Sequence, residues 1–179
     1  TIRDFAMFLE GITFEKSTVD GKSAEQATIK GDGTLVVKLY YTRKIHTVSF
    51  LVENGDNMDV TYRYGQLITQ PSTPVKAGYT FSGWKTSQDL SEDFIFGKPM
   101  PDRDITVYGS LIPNTDTRFT VEHYYQNTTG EGYSLNETET KTGTTDKTVD
   151  LGTFAKATEG MSFEKSTVDG EMAVSAKIK

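Results

Sequence analysis

The stretch HTVSFLVENGDNMDVTYRYG at residues 46–65 decides the fold class. Successive side chains of an extended chain point to opposite faces, so Val48, Phe50 and Val52 fall together on a buried side. Asn54-Gly55 then predicts a hairpin, because this pair accepts the backbone of a tight turn. The returning strand is VTYRYG (60–65), with Val60, Tyr62 and Tyr64 on one face. Upstream, LVVKLYYT (35–42) follows the turn Gly31-Asp32-Gly33 and alternates in the same way. It sets Leu35, Val37, Leu39 and Tyr41 on one face and Val36, Lys38 and Tyr40 on the other. Downstream, Pro71 and Pro74 interrupt the sheet, GYTFSGW (78–84) restarts it, and DITVYGSL (104–111) adds a strand after Met100-Pro101-Asp102. Residues 45–112 therefore read as one compact unit, and Ile112-Pro113-Asn114-Thr115-Asp116 as a short linker.

Beyond the linker, RFTVEHYYQ (118–126) and YSLNETETKTG (133–143) predict a second hairpin around Gly130-Glu131-Gly132. Asp146–Glu159 carries the only helical spacing, through Val149, Phe154 and Ala157, weakened by Gly152. MSFEKST (161–167) reads as a return to strand. Strand, strand, short helix, strand and a closing strand of the LVVKLYYT type is the order of a β-grasp unit. The expected fold is mainly β (α+β): tandem small β-grasp-like, ubiquitin-like modules with short helices.

The chain also repeats itself. FEKSTVDG stands at 14–21 and again at 163–170, and the likeness continues on both sides. Phe5-Ala6 matches Phe154-Ala155, Glu10-Gly11 matches Glu159-Gly160, and Ala24, Ala27, Ile29 and Lys30 match Ala173, Ala176, Ile178 and Lys179. A fixed self-similarity of this kind marks a repeat architecture. Three parts follow. Residues 1–44 are the C-terminal part of one module, 45–113 a module of a second type, and 114–179 the N-terminal part of the next module of the first type. GDGTLVVKLYYTR (31–43) has no counterpart after 179, so each end is expected to present an unpaired strand edge, open to head-to-tail self-association and to neighbouring repeats of the same protein.

Composition narrows the function classes. A net charge of −6 argues against nucleic acid and against anionic lipid, both of which call for clustered Lys and Arg. With no cysteine there are no disulfides, thiolate metal sites or cysteine nucleophiles. No apolar run reaches the roughly 20 residues of a membrane span, so membrane insertion is not expected.

Motifs for chemistry are sparse. His46 and His123 lie in alternating strands without a second histidine at ligand spacing, which reads as strand packing. Asn54-Gly55-Asp56-Asn57-Met58-Asp59 lacks the alternate ligands and closing glutamate of a calcium loop. Glu92 and Asp93 are adjacent and offer no cleft between two carboxylates. No metal, cofactor or catalytic residue is expected. Trp84 could serve as a sugar-stacking platform; the preferred reading is a structural core of Trp84, Tyr79, Phe81, Phe94 and Phe96, since a small domain depends on a few large aromatics. Tyr40 and Tyr124, each opposite the apolar face of its strand, are the candidates for ligand contact.

Residues 46–112 resemble the Listeria-Bacteroides repeat, the B-repeat of internalin-type surface proteins, through GYTFSGW (78–84), the Phe94 and Phe96 pair and MPDRDITVYGSL (100–111). Leu111 stands where that signature usually has a second tryptophan. Residues 118–179, with the 31–44 type of ending, resemble mucin-binding-protein-related (MucBP-like) modules through TVEHYYQN (120–127), ETKTGTT (139–145) and KLYYTR (38–43). The resemblance implies β-grasp-like folds, no enzymatic activity, and a place in an extracellular stalk anchored to a Gram-positive cell wall, with signal and anchor outside these residues. The expected function is that of a spacer presenting a distal adhesive domain. The alternative is that the repeats themselves bind a host mucin-type glycan or glycoprotein.

Overall fold

The alternating segments become strands, and the crossovers between them contain no α-helix. The computed structural model describes residues 1–179, which form two units. Unit 1 comprises Thr1–Thr73 and Gly83–Ser110, and unit 2 comprises Pro74–Ser82 and Leu111–Lys179.

Unit 1 opens with a one-turn 3-10 helix at Ile2–Phe5, followed by β1 (Ile12–Val19), β2 (Lys22–Ser23) and β3 (Val37–Arg43) in the sheet order β2-β1-β3. β1 and β3 are antiparallel, from Ile12 opposite Arg43 to Val19 opposite Val37, with a bulge at Glu15. Lys44 alone separates β3 from β4 (Ile45–Glu53), which turns through Asn54, at φ 63°, into β5 (Met58–Arg63). β6 (Tyr79–Phe81) belongs to unit 2. β7 (Ile105–Pro113) runs through both units: its first six residues lie parallel to β4, and Leu111–Pro113 pair antiparallel with β6. β4 is thus flanked on both sides, and the side chains expected on its inner face are fully buried: Val48 and Phe50 at 0% exposure and Val52 at 5%. Tyr62, Ile68, Met100 and Val107 complete this core. Where a helix would cross, two irregular segments are laced together instead. Ile68 N–H donates to the Lys98 carbonyl (3.0 Å), Gly97 to Ile68 (2.8 Å) and Met100 to Gln66 (2.8 Å). These bonds let Ile68 and Met100 enter the core without leaving backbone groups unpaired.

Unit 2 contains β6, the end of β7, and then β8 (Thr117–Gln126) and β9 (Tyr133–Gly143) as an antiparallel hairpin. β10 (Thr148–Asp150), a 3-10 turn at Leu151–Phe154, β11 (Thr167–Val168), β12 (Glu171–Met172) and β13 (Ser175–Lys177) follow, with β10 paired to β13 and β11 to β12. Phe154 meets Phe119 edge-on at 5.7 Å, and Ile178, 4% exposed, fills the space beside Gly143, where a Cβ would collide with its Cδ1.

Three local expectations are corrected. Asp146–Glu159 is not an α-helix. Thr148–Asp150 are drawn into the β10·β13 ladder, the Asp150 carboxylate accepts from Gly152 N–H (2.9 Å), and the turn closes after Phe154. β-branched Thr148, Val149 and Thr153 together with Gly152 make continuation costly. MSFEKST does not form a strand over its length; only Thr167 is in one, with Val168. Residues 112–116 are not a free linker. Ile112 and Pro113 pair with Thr80 and Tyr79, and Asn114 is held on Gly78, Thr80 and Thr145.

Candidate functional site

Trp84 is 5% exposed and packs edge-on against Phe50 at 4.9 Å. Phe96 stacks on Phe50 at 6.3 Å and meets Phe94 at 4.9 Å, so the aromatic group forms around a β4 side chain. The backbone builds the setting: Lys85 exchanges hydrogen bonds with Tyr108 (2.7 and 2.9 Å), and Phe94 N–H donates to the Trp84 carbonyl (2.9 Å). A tryptophan this enclosed offers no open face for stacking a sugar. Phe94 and Phe96 are half-buried, and so are Tyr79 and Phe81 in unit 2. Tyr79 is engaged with Lys76, 3.9 Å above its ring, and with Asp146, which accepts from its hydroxyl (2.5 Å). The Phe94 side borders a depression of about 260 Å³ that Ile68, Ile95, Pro99 and Pro101 also line, beside the Lys85–Asp93 ion pair (2.6 Å).

The densest polar constellation centres on Asp102, and it makes His46 more than a strand residue. One carboxylate oxygen accepts from Gly11 N–H (3.1 Å) and from Lys44 Nζ (2.8 Å); the other lies 2.9 Å from His46 Nε2. His46 Nδ1 lies 3.5 Å from Asp104, whose carboxylate also accepts from Thr47 N–H (2.8 Å). The hydrogen bond from Lys44, with those from His46 and Gly11, holds the Asp102 carboxyl below the usual carboxylate range. Around it the chain is closely fitted. Lys44 N–H donates to the Gly11 carbonyl (2.9 Å), Tyr64 N–H to that of Lys44 (2.8 Å), and Arg43 to that of Tyr64 (3.0 Å). Gly11 is buried at φ 65°, and a Cβ there would lie in the Tyr64 ring. This is a clamp: Lys44, Asp102, Asp104 and the His46 ring fix the corner where β3 becomes β4, with no nucleophile in the arrangement. Its sequence signal, MPDRD, was visible only as part of a family resemblance, because Asp102 and Gly11 stand 91 residues apart.

In unit 2 the charged face belongs to the β8–β9 hairpin. Glu139 is bridged to Lys141 and Lys156, Lys156 also reaches Glu137 (2.8 Å), and His123 Nε2 is 3.9 Å from Glu139. The two lysines, Lys141 first, lower the Glu139 carboxyl to a pKa of about 2. His123, 12% exposed, keeps its Nε2 buried without a hydrogen bond. Of the tyrosines singled out for contact, Tyr40 is 40% exposed with Lys16 Nζ 5.5 Å from its ring, and Tyr124 is 52% exposed. The Tyr124 hydroxyl donates to Glu122 (2.9 Å), and that bond raises its pKa. Tyr40 belongs to unit 1 and Tyr124 to unit 2, each with a neighbour on its own strand or the adjoining one. No three His, Asp or Glu side chains converge as a metal site, and no helix is long and apolar enough to cross a membrane.

A parallel first-to-last strand pair, an enclosed tryptophan and a charge clamp at the entry corner define a small β repeat. Residues 46–109 match the Listeria-Bacteroides repeat domain. The chain is similar to Internalin H of Listeria monocytogenes, 32% identical over 112 residues, which cover 62% of this chain and 18% of that protein. It is also similar to a protein of Evansella cellulosilytica named as a Gly-rich membrane protein, 29% identical over 150 residues, 74% of this chain and 16% of that protein. The chain thus spans less than a fifth of the length of these relatives.

Proposed function

We propose that this chain is a repeat segment of a bacterial surface protein, non-enzymatic, which serves as an extracellular spacer holding a distal adhesive domain away from the cell wall. The observation that carries this reading is the β4·β7 pair. The chain enters the repeat through β4 and leaves through β7, and the two are adjacent and parallel from Val48 opposite Ile105 to Glu53 opposite Ser110. Tension on the two ends therefore pulls the strands past each other and loads all six rungs together. An antiparallel hairpin pulled at its two ends opens one rung at a time. The sheet order β5-β4-β7-β6 supports assignment of the repeat to the β-grasp class, and the MucBP-like reading of the flanking parts, with domains at 1–44, 45–113 and 114–179, rests on their sequence cues. The similarity to a protein named as a membrane protein fits a surface location.

Force spectroscopy tests the reading, and the absence of cysteine makes attachment clean. With handles on Ile45→Cys and Pro113→Cys the repeat is expected to open at a distinctly higher force than the hairpin held by Arg118→Cys and Thr142→Cys, an exposed pair opposite each other. Equal forces would remove the mechanical argument. The exposure of Tyr40 and Tyr124 keeps a second reading, in which the repeats bind a mucin-type glycan. Retention on immobilised mucin, lost in Tyr40→Ala and Tyr124→Ala, would favour it over the spacer.

A further inference from the structure

We propose that the chain couples its successive modules through one recurring joint, in which the glycine-faced end of a closing strand pair docks the turn that ends the first hairpin of the next module. The joint occurs twice, once in each unit, on strands of unlike sequence. In unit 1 it sits where β3 passes into β4, and in unit 2 where β7 passes into β8. The strand paired with the closing strand begins alike in both: Gly11-Ile12-Thr13-Phe14 at β1 and Gly78-Tyr79-Thr80-Phe81 at β6. The registers agree as well. Ile12, Thr13 and Phe14 stand opposite Arg43, Thr42 and Tyr41, and Tyr79, Thr80 and Phe81 opposite Pro113, Ile112 and Leu111.

The main chain then repeats the same bonds. Just past the closing strand, Lys44 N–H donates to the Gly11 carbonyl (2.9 Å) and Asn114 N–H to that of Gly78 (2.8 Å). The Lys44 carbonyl in turn accepts from Tyr64 N–H (2.8 Å), and the Asn114 carbonyl from Thr145 N–H (2.9 Å). Tyr64 and Thr145 follow closely on β5 and β9, the returning strands of the two hairpins. The next amides match too: Gly65 N–H donates to the Met100 carbonyl (2.8 Å) and Asp146 N–H to that of Ile178 (2.6 Å), and Met100 and Ile178 are both buried. Glycine is required at both joints. Gly11 and Gly78 have φ 65° and 76°, and an added Cβ would lie 2.1 Å from Tyr64 Cγ or 2.7 Å from Thr145 Cγ2.

Lys44 is unlike Asn114 and Tyr64 unlike Thr145, so what recurs is backbone. The surface therefore fits the hairpin turn of either module type rather than one side-chain pattern. Side chains reinforce the joint differently at the two places. Asp102 does so by charge in unit 1, and in unit 2 hydroxyls take over: Thr80 donates to Asn114 Oδ1 (2.7 Å), and Thr117 pairs with Thr145 (2.5 Å). The division into units agrees with a tight joint. It passes through the repeat, after Thr73, Ser82 and Ser110, and leaves each joint inside one unit. Contacts of this kind make neighbouring modules stabilise each other, as in repeat arrays. The inference takes the module boundaries proposed above and holds for a spacer and a binder alike.

Double-mutant cycles read by amide exchange on the full chain test the joint. Gly11→Ala is expected to speed exchange at Tyr64 and Gly65 by about tenfold or more, and Gly78→Ala to do the same at Thr145 and Asp146. Gly21→Ala and Gly130→Ala change left-handed glycines with open space around them and should affect those amides far less. Truncating the side chain opposite should relieve the collision. Gly11→Ala with Tyr64→Ala, and Gly78→Ala with Thr145→Ala, are expected to speed exchange less than the product of the single effects. Effects that multiply, or that the control glycines match, overturn the joint, and coupling at one place alone overturns its recurrence. If Gly11→Ala or Gly78→Ala unfolds its unit, recovery of folding in the double variant reads the same coupling, and no recovery overturns it.

Discussion

FEKSTVDG at 14–21 and at 163–170 folds alike at its turn and differently along its strand. Ser17 and Ser166 each donate their hydroxyl to the alanine carbonyl seven residues on (2.5 Å in both), and Ala24 and Ala173 return N–H bonds of 3.1 Å. Asp20 and Asp169 sit at φ 49° and 50°. The preceding 3-10 turns are tied in the same way, Ile2 to Glu25 (2.9 Å) and Leu151 to Val174 (3.0 Å). Yet the first copy makes an eight-residue strand and the second a two-residue one. Burial is complementary too: Ile178 is 4% exposed beside the β8–β9 hairpin, and its counterpart Ile29 is 86% exposed. Local sequence is sufficient for the turns, whose bonds close within a few residues. A strand needs a partner, because its backbone groups and half its side chains are satisfied only across a ladder.

The comparison breaks most severely if the core that backs the first copy is removed. Trp84→Ala is expected to cost about 3–5 kcal/mol, the usual range for an aromatic truncated in a core, and to expose the β1 amides to exchange as the corner between β3 and β4 loosens. Unit 2 amides, including those of β8 and β9, should keep their protection. A variant that melts with the parent would mean that Phe50, Phe94 and Phe96 close over the gap.

A smaller and more pointed contrast comes from one repeat position. Gly11 and Gly160 have the same left-handed φ, 65° and 75°, but only Gly11 faces the Tyr64 ring, and Gly160 has nothing near. Gly160→Ala should cost about 1 kcal/mol for the backbone alone. Gly11→Ala adds overpacking against Tyr64, for about 2–4 kcal/mol together. Denaturant titration of the two variants measures the difference. Equal losses would show that the corner is looser than its hydrogen bonds indicate.

These contrasts also mark what the sequence made legible. The β4–β5 and β8–β9 hairpins follow from period-two alternation and turn residues, which act over a few positions, and Val48, Phe50 and Val52 lie inward as the pattern requires. The helix expected near Val149, Phe154 and Ala157 failed because pairing with Ser175–Lys177 competed for the same residues, a bond no local pattern reveals. MSFEKST (161–167) read as strand because strand propensity does not report whether a partner strand is at hand. Asp102 escaped notice as a centre for the same reason: its partners Gly11, Lys44 and His46 come from another part of the chain and carry no mutual spacing signal.

The smallest effect concerns how each copy is tethered. The second copy is fastened to its hairpin by Lys156 on Glu137 and Glu139; the first has Met7 there, and its tether is the Gly11 bond to Asp102. Glu139 titrates near 2 in the folded chain, below the ordinary 4.5, because the charged carboxylate is held by Lys141 and Lys156. A carboxyl whose folded pKa is depressed binds more protons when unfolded, so its stabilisation is complete above about 4.5 and is lost as pH falls toward about 2. Glu139→Gln should therefore destabilise unit 2 slightly at neutral pH, and the gap between variant and parent should close over that window. The exposed setting of the ion pairs keeps the effect modest and sensitive to salt. Hydrogen exchange at residues 154–160 as a function of pH is the measurement. Asp102, whose carboxyl is also depressed, should soften the first copy in acid in both proteins alike. A parent–variant gap that persists below pH 2 would show that Glu139 acts through packing rather than charge.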